Sequence, residues 1–146
     1  MIILYYKLYM NKLMLIAIAA VVLVGCGKPS VSIHTASRQG NVKIVEAHLD
    51  YGTDINERNS GTENTPLHAA IAENKVDIVK LLIRRGASLN IQNFNGDTPL
   101  DFVMIIRGIE KFQEVKLSDN YKQPEIFNLL RKHGGKTAEE LKAERK

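Results

Sequence analysis

The chain carries one cysteine, Cys26, and four histidines, His34, His48, His68 and His133. A single thiol has no partner for an intrachain disulfide. The histidines fall in neither H-x-x-x-H nor H-E-x-x-H spacing, and no second cysteine joins them, so metal binding is not expected. Asp97 and Asp101 form a carboxylate pair, and such pairs can do acid–base work. Both flank the start of a helical pattern, however, where a negative charge meets the positive end of the aligned peptide dipoles, and that placement accounts for them. The glycines of "RGASLN" and "HGGKT" lack the spacing of a phosphate-binding loop, and no G-x-S-x-G elbow occurs. No catalytic constellation emerges, so neither an enzyme nor a cofactor is expected. With 45% apolar and 25% charged residues the chain is not of disordered composition. Two of the 20 basic residues, Lys7 and Lys12, precede Cys26 and no acid does, so 18 basic residues face 16 acidic ones beyond it. These are intermixed, and no Lys/Arg block offers a nucleic-acid surface. A length of 146 residues fits one small domain.

Cys26 could end a membrane span, sit in a core, act as a nucleophile or be modified. The apolar run before it, "LMLIAIAAVVLV" from Leu13 to Val24, has 12 residues. A spanning helix needs roughly 20. A basic start, a short apolar middle and small residues after it are the plan of a secretory signal. "LVGC", Leu23–Cys26, resembles the lipobox of bacterial lipoproteins. That resemblance implies cleavage before Cys26 and a diacylglycerol on its sulfur, a covalent lipid in place of any cofactor. Gly27, where Asp would signal inner-membrane retention, implies the outer membrane of the cell envelope. The alternative is an uncleaved signal anchor. "MNKLMLIAIAAVVLVGC", beginning at Met10, is a compact signal by itself, and Met10 is a candidate, beside Met1, for the true first residue.

Beyond Cys26 the chain repeats. "TPLHAAIAENKVDIVKLLIRRGASLNIQN" starts at Thr65, and "TPLDFVMIIRG" starts 33 residues later at Thr98. Upstream, "SIHTASRQGNVKIVEAHLDYGTDINERN" matches the first at an offset of 34, which sets His34 on His68, Gly52 on Gly86 and Asn56 on Asn90. Thr65 can cap a helix that Pro66 opens without losing a needed N–H. Leu67, Ala70 and Ile71 share a face, as do Ile78, Leu81 and Leu82 in a second helix. Asn74 turns the chain between them, as Gly40 does one repeat earlier, and Gly86 ends the second helix in the left-handed conformation. In the third copy Ile126 aligns with Ile78 at an offset of 48, which leaves 15 extra residues within Arg107–Gln123. Thr137 and Glu140 make a T-x-x-E capping box for a short final helix, with Leu141 facing the last repeat.

The 33-residue period with T-P-L-H-A-A resembles the ankyrin-repeat family. The resemblance implies an all-α solenoid of about three helix-turn-helix repeats with hairpin fingers, the third carrying the insertion. The expected plan is a signal peptide over 1–25, a lipidated start and tether over 26–31, the repeats over 32–136 and a capping tail over 137–146. Thr65, Pro66, Leu67, His68, Gly86, Thr98 and Pro99 are then structural, His68 by bonding within the turn before its helix. Partner contacts fall to the finger tips and the outer side of the first helices. These are Glu57, Arg58 and Asn59 in one finger and Gln92, Asn93, Phe94 and Asn95 in the next, with Arg38, Gln39 and Glu73 beside them. Phe94 either anchors a partner or folds against its own hairpin. The function implied is a protein-interaction module in a membrane-anchored lipoprotein, monomeric, with no nucleic-acid partner; the alternative is a secreted or surface-exposed effector acting on another cell.

Overall fold

The computed structural model describes residues 27–106 and 125–145. Cys26 with the signal segment expected before it, and the expected insertion at Arg107–Gln123, lie outside the described residues. Among the described residues there are seven helices and no strand: α1 (Ile33–Gln39), α2 (Val42–Asp50), α3 (Pro66–Ala72), α4 (Val76–Arg84), α5 (Pro99–Ile106), α6 (Glu125–Lys132) and α7 (Ala138–Ala143).

Several helix starts use side chains to satisfy the free amides of a first turn. Ser32 Oγ accepts from the Thr35 amide at 3.2 Å ahead of α1, and Asn41 Oδ1 accepts from that of Ile44 at 3.2 Å ahead of α2. The turns inside the first two helical hairpins are left-handed, at Gly40 (φ 77°) and at Asn74 (φ 52°), a conformation that glycine adopts freely and asparagine tolerates. Gly86 comes after α4 at φ 87°, as expected for a helix that ends in this conformation.

Helices pair as α1 with α2, α3 with α4 and α5 with α6, and the pairs stack so that α1, α3 and α5 form one row and α2, α4 and α6 a second. Ala36, Val45, Ala70, Val79, Leu82, Leu100 and Leu130 are wholly buried between the rows, with Ile33, Leu67, Ile78 and Ile126 at 1–2% exposure. Removing this apolar surface from water is the main drive to stack, and the alanines let the first-row helices approach closely. Polar ties recur between repeats. Asn56 Oδ1 accepts from the Ser88 amide at 2.9 Å, and Asn90 Oδ1, one repeat on, accepts from that of Lys136 at 2.7 Å.

The fourth residue of each T-P-L-H-type start makes a second set of ties. His34 Nε2 donates to the carbonyls of Glu57 (2.8 Å) and Asn64 (3.0 Å) in the next loop. His68, wholly buried, lies with Nε2 3.3 Å from the Asp97 carbonyl, while its Nδ1 accepts from the Thr65 amide at 3.2 Å. Its hydrogen thus resides on Nε2, and the ring is neutral. In the third copy the residue is Asp101, and the element it must hold is the start of α7 instead of a finger carbonyl. Its Oδ2 accepts from the Thr98 amide at 3.0 Å and from the Ala138 amide at 2.8 Å. A carbonyl needs a donor and an amide needs an acceptor, so the side chain changes with the group it must hold. The Thr137–Glu140 capping box is also present, with Glu140 Oε2 2.8 Å from the Thr137 amide, and Leu141 is half-buried.

Asp101→Ala should free the amide of Ala138 and speed hydrogen exchange through α7 while α1–α4 keep their protection, at a cost of about 1–2 kcal/mol. Equal deprotection throughout the stack would contradict this. The pKa of His68 is lowered from 6.5 to about 4, chiefly by burial and further by the charge of Arg58, against the opposing bond from the Asp97 carbonyl. Between those values the unfolded chain binds a proton that the folded chain refuses. The His68 contribution is therefore intact above pH 6.5 and falls away towards pH 4, by on the order of 3 kcal/mol when complete. A urea midpoint that declines across this window, with His68 ring resonances still neutral at pH 5.5, is expected; a His68 resonance titrating near 6.5 in the folded chain would exclude it.

Candidate functional site

A groove of about 480 Å³ opens between α1 and the first finger, lined by Ser32, His34, Thr35 and Arg38 on the helix side and Glu57, Arg58, Asn59 and Ser60 on the finger side. Two elements fix it. Helix α1 presents His34, Thr35 and Arg38 from successive turns of one face. The first finger is held closed by Asn59, whose Oδ1 accepts from the amides of Thr62 (3.0 Å) and Asn64 (3.2 Å) and from the Thr62 hydroxyl (2.9 Å). The His34 ring bonds the finger's Glu57 carbonyl, so helix and finger keep a set distance.

The second finger repeats the device. Asn93 Oδ1 accepts from the amides of Asn95 and Asp97, both at 3.0 Å, and its Nδ2 donates to Asn64 Oδ1 at 3.1 Å, across to the first finger. Asn93 is 7% exposed, and its amide is committed at both ends. It holds the fingers together from inside and does not offer its side chain on the surface. Gln92 is half-buried and donates to the Gly96 carbonyl at 2.9 Å. Asn95 is exposed. Phe94 stands 75% exposed, so it does not fold against its hairpin, and its amide donates to the Thr62 carbonyl at 2.9 Å. An aromatic ring is thereby set on a tip whose backbone is tied to its neighbour.

The structure thus brings Arg38, Glu57, Arg58 and Asn59 around one groove and places Phe94 one finger along. Gln39 and Glu73 are exposed and are not part of the groove lining. The groove is mixed in charge: Arg58 pairs with Glu63 at 2.5 Å, and Glu57 lies 4.0 Å from His34 Nδ1. Burial, and then the neighbouring charge of Asp101, raise the pKa of Asp97, against hydrogen bonds from Asn93 and Asn95. Among the described residues no group of histidine, cysteine, aspartate and glutamate could hold a metal ion, and none of their helices is long and apolar enough to cross a membrane. What the surface can do is recognise: it offers charge, hydrogen-bond donors and one bare aromatic ring.

One residue escaped sequence reasoning. His48 is buried in α2, its Nε2 donating to the Val31 carbonyl at 2.6 Å and its Nδ1 3.1 Å from the Thr53 hydroxyl. It fastens the segment entering the fold. Its signal was positional, since at the offset of 34 it stands where the next repeat has Leu82, a polar group in a core stripe.

Comparison with known proteins bears on these repeats. Residues 33–112 match the family model described as "Ankyrin repeats (3 copies)". The human protein "SH3 and multiple ankyrin repeat domains protein 2" is 32% identical over 94 residues, which cover 64% of this chain and 5% of that protein. Mouse "Protein phosphatase 1 regulatory subunit 27" is 38% identical over 72 residues, 49% of this chain and 46% of its own. The Arabidopsis thaliana "E3 ubiquitin-protein ligase KEG" is 34% identical over 115 residues, 75% of this chain and 7% of its own. The chain spans less than half the length of each of these relatives. Because the family match covers more than half of the chain, and falls on the helices and fingers described above, the chain belongs to the ankyrin-repeat family and carries that family's protein-interaction fold.

Proposed function

We propose that this chain is a lipoprotein of the bacterial cell envelope, held by lipid on Cys26, whose ankyrin stack binds a partner protein close to the membrane surface. The observation that carries the binding role is Phe94, an exposed ring on a fixed finger tip beside a polar groove. Aromatic and arginine side chains contribute most to contact energies, and a ring displayed at 75% exposure gains by being covered. The anchoring role is supported by the "LVGC" sequence after a 12-residue apolar run. Two or more acyl chains hold a protein durably where one does not. From Cys26 to Val31 the chain reaches roughly 18 Å at most, and His48 fastens it at Val31. A partner within the same thin layer at the membrane is the one such a tether serves, with the outer membrane as the proposed location and a monomer as the working unit.

Crosslinking in cells from residue 94 identifies the partner. Phe94→Ala should then lower its capture by about tenfold, since an anchor residue contributes roughly 1–2 kcal/mol, with the unfolding midpoint unchanged. Unaltered capture would remove Phe94 from the interface. Cys26→Ser should abolish lipid labelling and move the chain from membrane to soluble fractions. A mutant that labels and fractionates as the wild type would return the uncleaved anchor, and a soluble extracellular pool of wild-type chain would favour the effector reading.

A further inference from the structure

We infer that the groove beside Arg38 receives an acidic peptide segment of the partner, with the Arg38 guanidinium pairing its carboxylate. This rests on the binding role proposed for the stack and adds the partner's chemistry to it. The first ground is a comparison of the groove's two cations. Arg58 pairs with Glu63. Arg38 is exposed and lines the groove, yet it makes no ion pair or hydrogen bond among the described residues.

The groove does not neutralise that charge itself. Its carboxylate, Glu57, lies 4.0 Å from His34 Nδ1 and makes no ion pair with either arginine of the lining. The remaining polar groups add donors. Asn59 has its oxygen committed to the finger and its amide nitrogen without a partner among the described residues, and the Ser60 hydroxyl is likewise unpartnered there. An unpaired planar cation beside surplus N–H and O–H donors is the complement of a carboxylate, which only accepts and can take a guanidinium in two parallel bonds. Nucleic acid is the poorer fit, since no run of basic residues extends the site along a phosphate backbone.

The test is a selection from random peptides displayed on phage, using the full chain in detergent at low ionic strength. The wild-type chain should enrich peptides rich in Asp and Glu. Arg38→Glu, at an exposed position, should weaken a selected acidic peptide about tenfold, the size of one charge-assisted pair, and turn the enrichment towards Lys and Arg. Arg38→Lys should keep the acidic bias with lower affinity. Enrichment without acidic bias, or an acidic bias unmoved by Arg38→Glu, overturns the inference. If Phe94→Ala removes capture in that case, the interaction module stands and only the acidic partner falls. If the wild-type chain enriches no peptide, both fall. Loss of binding to phosphatidylglycerol vesicles on Arg38→Glu, with no acidic bias among peptides, would overturn it by assigning the groove to anionic lipid.

Discussion

The stack depends on one recurring bond, from a side chain in the first turn of each leading helix to the backbone of the next element. His34 holds the first finger, His68 the second, and Asp101 the start of α7. Apolar burial brings the helices together, but it is non-directional and does not say where a loop must lie. These bonds supply the direction. They hold the fingers at a set height beside the helices, and the groove between α1 and the first finger exists because of that separation. The replacement of histidine by aspartate shows that the requirement is one of polarity rather than residue type: a donor faces a carbonyl, and an acceptor faces an amide.

The same economy governs the fingers. Each closes around an asparagine oxygen that takes two or three donors, and Asn93 reaches back to Asn64 so that adjacent fingers share a bond. Because repeats touch mainly their neighbours, stability in such a stack is close to a sum of local terms. The surface ion pairs add little to that sum, since exposed pairs are worth at most about 1 kcal/mol each. Their effect is of another kind. The Arg58–Glu63 pair leaves Arg38 as the groove arginine that makes no ion pair among the described residues.

Much of the architecture was legible because it is repeated. Thr65-Pro66-Leu67-His68, the offsets of 33 and 34, Asn74 standing where Gly40 stands, and the Thr137–Glu140 box all describe local structure, and local structure is what sequence spacing encodes. The departures are long-range or depend on facing. Period alone does not say which way a fingertip side chain points, and so Asn93 and Phe94, adjacent in sequence, could not be told apart, although one is inside and the other outside. Asp101 was explained by the helix dipole, a general attraction, whereas its oxygen has a specific partner 37 residues away. His48 stands as a polar group in a core stripe, but the main-chain carbonyl it acts on leaves no trace in residue types. The proposed signal segment and the Arg107–Gln123 insertion rest on sequence alone.

The bond from His48 to Val31 has a mechanical meaning. Val31 runs directly into Ser32 and α1, and its carbonyl is also held by a buried imidazole of α2. A load on the residues ahead of Val31 is therefore shared between α1, through the backbone, and the packed row of α2, α4 and α6, through His48. The entry to the stack is fastened to both rows of helices at once.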